Sequence, residues 1–173
     1  MSTSGPGKPR RPRLVGIESL SDASPDTDSK NSLRAWLFLL KCAKRLEQEM
    51  SARFREQFQS SLSRFDVLAH LDLAGEKGLS TSQLAKRLLA SQGNITRLLD
   101  RMAQDGLIDR RGDVADRRVS KIRLSARGAE LFQRMAPAHE QWSHEILGST
   151  GIADRDNLVT LLRHLHDHLE SRR

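Results

Sequence analysis

Residues 80–124 read STSQLAKRLLASQGNITRLLDRMAQDGLIDRRGDVADRRVSKIRL, and the patterning of this stretch decides the fold. Ser80-Thr81-Ser82-Gln83 has the form of a capping box, in which a hydroxyl caps the first turn of a helix and a glutamine reaches back to it. The spacing predicts a short helix over Thr81–Leu88 with Leu84, Ala85 and Leu88 inward. Leu89-Ala90-Ser91 is then a tight connection. Ser91 opens a second helix through about Gln104, which buries Ile95, Leu98, Leu99 and Met102, and Gly106 ends it as a left-handed cap. Two short helices joined by so tight a turn form a helix-turn-helix unit.

Beyond Gly106 the chain is strand-like. Leu107–Arg111 leads to a polar turn over Gly112–Asp116, and a return strand ends in Val119-Ser120-Lys121-Ile122-Arg123-Leu124. Its alternation sets Lys121 and Arg123 on one face and Ile122 and Leu124 on the other. Ser125 caps the next helix. A hairpin directly after a helix-turn-helix is a wing, and Arg110, Arg111, Arg117, Arg118, Lys121 and Arg123 lie on or beside it.

The charge is concentrated in the same window. The 173-residue chain carries 29 Lys and Arg against 22 Asp and Glu, a net +7. Residues 80–124 hold 10 basic and 5 acidic groups, whereas residues 125–173 hold 6 and 7. A basic balance of this kind suits a partner that carries phosphates. The single cysteine, Cys42, excludes an intrachain disulfide framework. No run of about 18 apolar residues predicts a membrane span, and the N-terminus lacks the apolar region of a signal peptide. The expectation is a cytoplasmic protein with no membrane partner.

Working outward, residues 1–30 form a polar arm with Lys8, Arg10, Arg11 and Arg13 near its start. Gly5, Pro6, Gly7, Pro9 and Pro12 deny that arm regular structure, so a disordered tail or a DNA-contacting arm is expected. From about Ser32 to Phe58 one long helix is predicted, with Leu33, Trp36, Leu37, Leu40, Ala43, Met50, Phe54 and Phe58 on one stripe and Leu39, Cys42 and Leu46 on another. A helix apolar over so much of its girth is expected to be buried on several sides. Ser63 is expected to cap a helix over Phe65–Leu73. A last helix from about Asp154 places Leu158, Leu161, Leu162, Leu165 and Leu169 on one face. The predicted class is mainly α with a small β-hairpin wing. Residues 61–125 make the winged helix-turn-helix domain, and residues 31–60 with 126–173 a helical region that associates with a second copy.

The stretch from Ser63 to Glu130 resembles the MarR family of winged-helix transcriptional regulators. The resemblance is carried by Ser80–Leu88 (STSQLAKRL), Ser91–Arg101 (SQGNITRLLDR), Asp105–Arg111 (DGLIDRR), Asp116–Arg118 (DRR) and Leu124–Glu130 (LSARGAE). It implies a homodimer of two winged domains under a helical base that binds a pseudo-palindromic operator, usually a repressor released by a small ligand. By that resemblance Arg118 enters a minor groove and Asp116 orients its guanidinium, with Arg117 beside them. The phrases Ser63–Leu68 (SRFDVL) and Ser91–Thr96 (SQGNIT) are similar to a subgroup that senses aromatic acids or their coenzyme A thioesters.

Side-chain chemistry supplies the rest of the candidate interface. A recognition helix reads base edges with its N-terminal residues, here Ser91, Gln92, Gly93, Asn94, Thr96 and Arg97. Gln and Asn pair with adenine, Arg with guanine, and a Thr methyl touches thymine. Arg101 and Lys121 suit phosphates, as do the amides at Ser80, Thr81 and Ser82. For an aromatic effector the candidate linings are Trp36, Leu37, Leu40, Arg64, Phe65, Leu68, His70 and Trp142, most of which equally suit a core. His164 and His168 stand one turn apart, but no carboxylate or thiolate pattern joins them, so a histidine-bearing flank and no metal is expected. Cys42 is expected to be a buried apolar thiol. No cofactor or catalytic motif is present, and an enzyme is not expected. The alternative to a ligand-released regulator is an architectural DNA-coating protein that needs no effector.

Overall fold

The computed structural model describes residues 28–112 and 120–172. Within them six helices and one hairpin succeed one another in the order α1 (Asp28–Phe58), α2 (Leu62–Ala74), a short 3-10 turn (Gly75–Lys77), α3 (Thr81–Arg87), α4 (Gln92–Gln104), β1 (Ile108–Gly112), β2 (Ser120–Leu124), α5 (Ala126–Gly148) and α6 (Ile152–Glu170). This is the mainly helical fold with an antiparallel wing that the sequence predicts. Residues 1–27 of the N-terminal arm and residues 113–119 of the wing, with Asp116, Arg117 and Arg118, lie outside the described residues, whereas residues 28–30, expected to belong to the arm, are already helical.

The chain divides at Gln48 into two units. In the first, residues 28–48 are continuous helix, and Leu33, Trp36, Phe38, Leu39 and Leu40 are exposed. The burial expected of this stretch on several sides is therefore not found within this unit among the described residues. Cys42 is exposed as well, not buried.

In the second unit the buried apolar residues run from Met50 to Trp142. Phe54 lies against Phe65 with ring centroids 4.9 Å apart, Trp142 meets Phe54 edge-on at 5.1 Å, and the His139 ring sits 4.6 Å from Phe65. This aromatic cluster joins the last turns of α1 to α2 and α5. It connects to an aliphatic core of Leu68, Leu71, Leu84, Leu99, Met102 and Ile122 under the helix-turn-helix. An ionic clamp lies alongside: Arg53 Nη1 donates to Glu145 at 2.7 Å and its Nε to Glu49 at 2.9 Å. The guanidinium holds the Glu145 carboxyl below the usual carboxylate range, with Gln141 donating to the same group as the second cause.

The helix starts show why the local sequence folds as it does. Ser61, not Ser63, caps α2, accepting from the Arg64 N–H, so the helix begins a turn earlier than expected. Three serines at 60, 61 and 63 offer the same chemistry, and only the path of the chain selects among them. Ser80 and Gln83 form the complete capping box of α3, and Ser91 accepts from the Asn94 N–H to cap α4. Ser125 Oγ accepts from the Gly128 N–H at 2.9 Å and donates to the Gly106 carbonyl at 2.6 Å, binding the start of α5 to the end of α4. Gly106 has φ +68, the left-handed conformation expected of it. α6 begins at Ile152 without a side-chain cap and contains no buried residue.

β1 and β2 pair antiparallel, with Ile108 opposite Leu124, Arg110 opposite Ile122 and Gly112 opposite Ser120. Leu79 adds a single bridge to the outer side of β2: its N–H donates to the Ile122 carbonyl at 3.0 Å, and the Ile122 N–H donates back at 2.8 Å. The base of the wing is thereby tied to the entry of α3. Two glycines make these close approaches possible. At Gly128 a Cβ would stand 1.9 Å from the Leu107 carbonyl oxygen, and at Gly78, with φ +59, it would stand 2.6 Å from that of Ile122.

Candidate nucleic-acid interface

The interface is built on α3, the turn and α4. Leu84 and Ala85 fasten α3 to the core, and Ile95, Leu99 and Met102 fasten α4. The turn between them places Leu89 at φ +49 with its side chain exposed, while the Ala90 N–H donates to the Ala85 carbonyl at 3.0 Å. A leucine in a left-handed conformation is costly, and the paired backbone around it holds it there.

With one face of α4 buried, its other face is free of the core. Ser91, Gln92, Gly93, Asn94, Thr96, Arg97 and Arg101 are all exposed. Thr96 Oγ1 donates to the Gln92 carbonyl at 2.8 Å, and Arg97 Nη2 donates to Asn94 Oδ1 at 2.6 Å. The Asn94–Arg97 pair joins one amide and one guanidinium, both on exposed residues. A Cβ at Gly93 would meet nothing within 4 Å, so packing inside the protein does not require the glycine. Ser82 is exposed, and Ser80 and Thr81 are half-buried at the start of α3. A cleft of about 510 Å³ between α2 and α4 is lined by Asp66, Asn94, Arg97, Leu98 and Arg101 among others.

The basic residues of the wing divide in a way the sequence does not reveal. Arg110 Nη2 donates to Asp100 on α4, and Arg123 Nη1 donates to Glu76 at 3.0 Å. Both therefore brace the winged unit instead of standing clear as part of a basic face. Lys121 is half-buried, and Asp116, Arg117 and Arg118 lie outside the described residues. A third brace joins Arg64 on α2 to Asp105, the residue that ends α4. Asp100, Asp105 and Glu76 are thus positioning residues that the sequence reading missed. Partners 10, 41 and 47 residues apart leave no periodic signal.

The effector candidates fall into two groups. Trp36 and Leu40 are exposed and Leu37 half-buried in the first unit. In the second unit Phe65, Leu68 and Trp142 belong to the core cluster, His70 is half-buried, and Arg64 is engaged by Asp105. His164, His166 and His168 are exposed on α6, and among the described residues no group of three His, Cys, Asp or Glu side chains could hold a metal ion. No described helix is long and apolar enough to cross a membrane.

Comparison with known proteins agrees with this geometry. A family model described as "MarR family" matches residues 61–119. The chain is 30% identical over 118 residues to the transcriptional regulator PecS of Dickeya dadantii, covering 68% of this chain and 71% of that one. It is 29% identical over 158 residues to the transcriptional repressor YetL of Bacillus subtilis, covering 91% and 93% respectively. Among solved structures, the Staphylococcus aureus MepR–DNA complex superposes with a TM-score of 0.69 at 20% identity, over 78% of this chain and 96% of that one.

Proposed function

The chain belongs to the MarR family of DNA-binding transcriptional regulators, and on that premise we propose that it works as a homodimeric repressor released by a small aromatic acid or its coenzyme A thioester. Each protomer lays α4 in a major groove, and the two protomers meet half-sites about one helical turn apart. The observation that carries this reading is the exposure of Ser91, Gln92, Gly93, Asn94, Thr96 and Arg97 on a helix whose opposite face, with Ile95, Leu99 and Met102, is locked into the core. Gln92, Asn94, Thr96 and Arg97 read base edges, and Arg101, Lys121 and the Ser80–Ser82 turn hold phosphates. At the wing tip Arg118 enters the minor groove, with Asp116 orienting it and Arg117 at the backbone; a narrow A·T-rich groove favours arginine there. The exposed apolar residues of α1 and α6 form the dimer base. A relative named as a repressor supports the sign of regulation.

The effector acts only by as much as it prefers one arrangement of the protein over the other. A coupling of about 5- to 150-fold in operator affinity is expected. The test is operator binding by fluorescence anisotropy with a panel of benzoates, cinnamates and their coenzyme A thioesters. At least one member is expected to weaken binding within that range and to change tryptophan fluorescence. A panel that leaves both untouched removes the effector from the reading and favours a DNA-coating protein. In the same assay Asn94→Ala is expected to relax base preference in the half-site, and Arg118→Ala to weaken binding mainly beside A·T-rich flanks. Equal losses across all sequences would contradict this division of roles.

A further inference from the structure

The exit of the recognition helix and the start of α5 meet at Ser125. Its Oγ accepts from the Gly128 N–H at 2.9 Å and donates to the Gly106 carbonyl at 2.6 Å, while its backbone N–H donates to the Leu107 carbonyl at 3.2 Å. A hydroxyl has one proton to give and two lone pairs to accept with, so the two side-chain bonds are chemically separable. Capping α5 needs only the acceptor bond. The donor bond is additional, and it holds the carbonyl of Gly106, whose φ of +68 turns the chain as it leaves α4. The backbone around it has little room. The Leu107 N–H donates to the Met102 carbonyl at 2.9 Å, Leu107 is buried, and a Cβ on Gly128 would stand 1.9 Å from the Leu107 carbonyl oxygen.

The two ends of α4 are held differently. Its first residues, Gln92, Gly93 and Asn94, are exposed, whereas its last turn runs into this joint with α5. The helix has 13 residues, a length of about 20 Å. A tilt of about 3° displaces one end relative to the other by roughly 1 Å. That exceeds the whole range over which an N–H···O bond persists, about 2.7–3.2 Å. We propose that Ser125 is a positioning residue for sequence recognition: its proton, placed on the Gly106 carbonyl, sets the angle at which α4 meets the base edges. The acceptor bond serves stability and the donor bond serves specificity. This inference rests on the DNA-reading role of α4 proposed above and assigns part of it to a residue that itself touches no DNA.

Three replacements in the full chain separate the two bonds. Ser125→Asp keeps an oxygen for the Gly128 N–H, since aspartate caps helices about as well as serine, but it has no proton for Gly106. Ser125→Ala loses both bonds, and Ser125→Thr keeps both. Affinity is measured by fluorescence anisotropy for a duplex selected from a random library and for its shuffled counterpart, at about 0.15 M salt. Circular dichroism gives each melting temperature. The readout is the ratio of the two affinities, because an added negative charge weakens both duplexes through their phosphates while base contacts set the ratio. Ser125→Asp is expected to melt close to the wild type and to lose about tenfold or more of the ratio, the loss of about one base contact. Ser125→Ala should lose as much of the ratio and melt lower as well, whereas Ser125→Thr should keep both properties. Ser125→Ala adds no atoms and carries the test if the aspartate variant does not fold. A wild-type ratio in a folded variant that lacks the donor, or a lost ratio in Ser125→Thr, overturns the assignment and leaves the DNA-reading role of α4 intact. A wild type that shows no preference for the selected duplex overturns that role, and this inference with it.

Discussion

The winged unit and the helical ends are built from similar side chains and reach opposite outcomes. Between Met50 and Trp142, Phe54, Leu68, Leu71, Leu84, Leu99, Met102 and Met135 are buried to 1% exposure or less. On α6 Leu161 is 66% exposed and Leu169 55%, and in α1 Trp36 is 57% exposed. Helix length does not explain this, since α6 is longer than any of the three helices of the winged core. The difference is one of neighbours. Around the helix-turn-helix α2, α3, α4 and the hairpin converge on shared residues, while among the described residues α6 has none that is buried. An apolar surface of that extent marks an association site, and in the proposed dimer a partner copy covers it.

The sharpest way to break that comparison is to charge the uncovered stripe. Leu161→Asp with Leu165→Asp is expected to convert a dimer into monomers in sedimentation velocity and to abolish tight operator binding. The aromatic near-ultraviolet circular dichroism of the Phe54–Trp142 cluster should stay unchanged. Loss of that signal together with the dimer would mean that the winged unit does not stand alone.

A smaller effect probes the inside of the winged unit. Gly128→Ala drives a methyl group into the Leu107 carbonyl, a backbone atom that cannot swing aside. It is expected to destabilise the protein by roughly 3 kcal/mol, the upper range for overpacking. Gly93→Ala is the matched opposite, because nothing in the protein stands near its Cβ. The helix should gain about 1 kcal/mol in denaturant unfolding, while operator affinity falls if DNA backbone or bases approach there. A gain in stability with operator affinity intact would show that Gly93 is only a weak first turn.

How far these elements can be read from sequence depends on the range of the interaction that fixes each. The capping box at Ser80 and Gln83, the caps at Ser91 and Ser125 and the left-handed Gly106 are decided within four residues, and all stand where their residue types place them. The alternation over Lys121–Leu124 likewise announces the buried Ile122. Reading fails where the decision is made at a distance. Arg123 and Arg110 look like exposed wing charges until Glu76 and Asp100 are brought against them, and Arg64 looks solvated until the chain returns with Asp105. The start of α2 fails for a different reason, since adjacent serines are equivalent locally. The exposed face of α4 is legible because its residues share one helix, whereas each brace at Arg64, Arg110 and Arg123 joins two separate elements.

The smallest expected effect concerns the Arg53–Glu145 clamp. The hydrogen bond from Arg53, then that from Gln141, holds the Glu145 carboxyl below its ordinary value. A depressed carboxylate contributes stability that is fully present above its unfolded value and lost as the pH falls through its folded one. Glu145→Gln should therefore melt slightly below the wild type at neutral pH, with the gap closing below about pH 4. A gap that stays constant across that range would mean the clamp carries no charge-dependent stability.

The central claim is that α4 reads sequence on behalf of a two-fold dimer. The direct measurement is selection of duplexes from a random library by the full chain, then anisotropy on a selected and a shuffled duplex at about 0.15 M salt, because affinities without a stated salt concentration mean little. The account predicts a pseudo-palindrome with half-sites about one helical turn apart, two protomers per duplex and a preference of about a thousandfold or more over the shuffled sequence. Equal affinity for the two duplexes, or one protomer saturating the site, would contradict it.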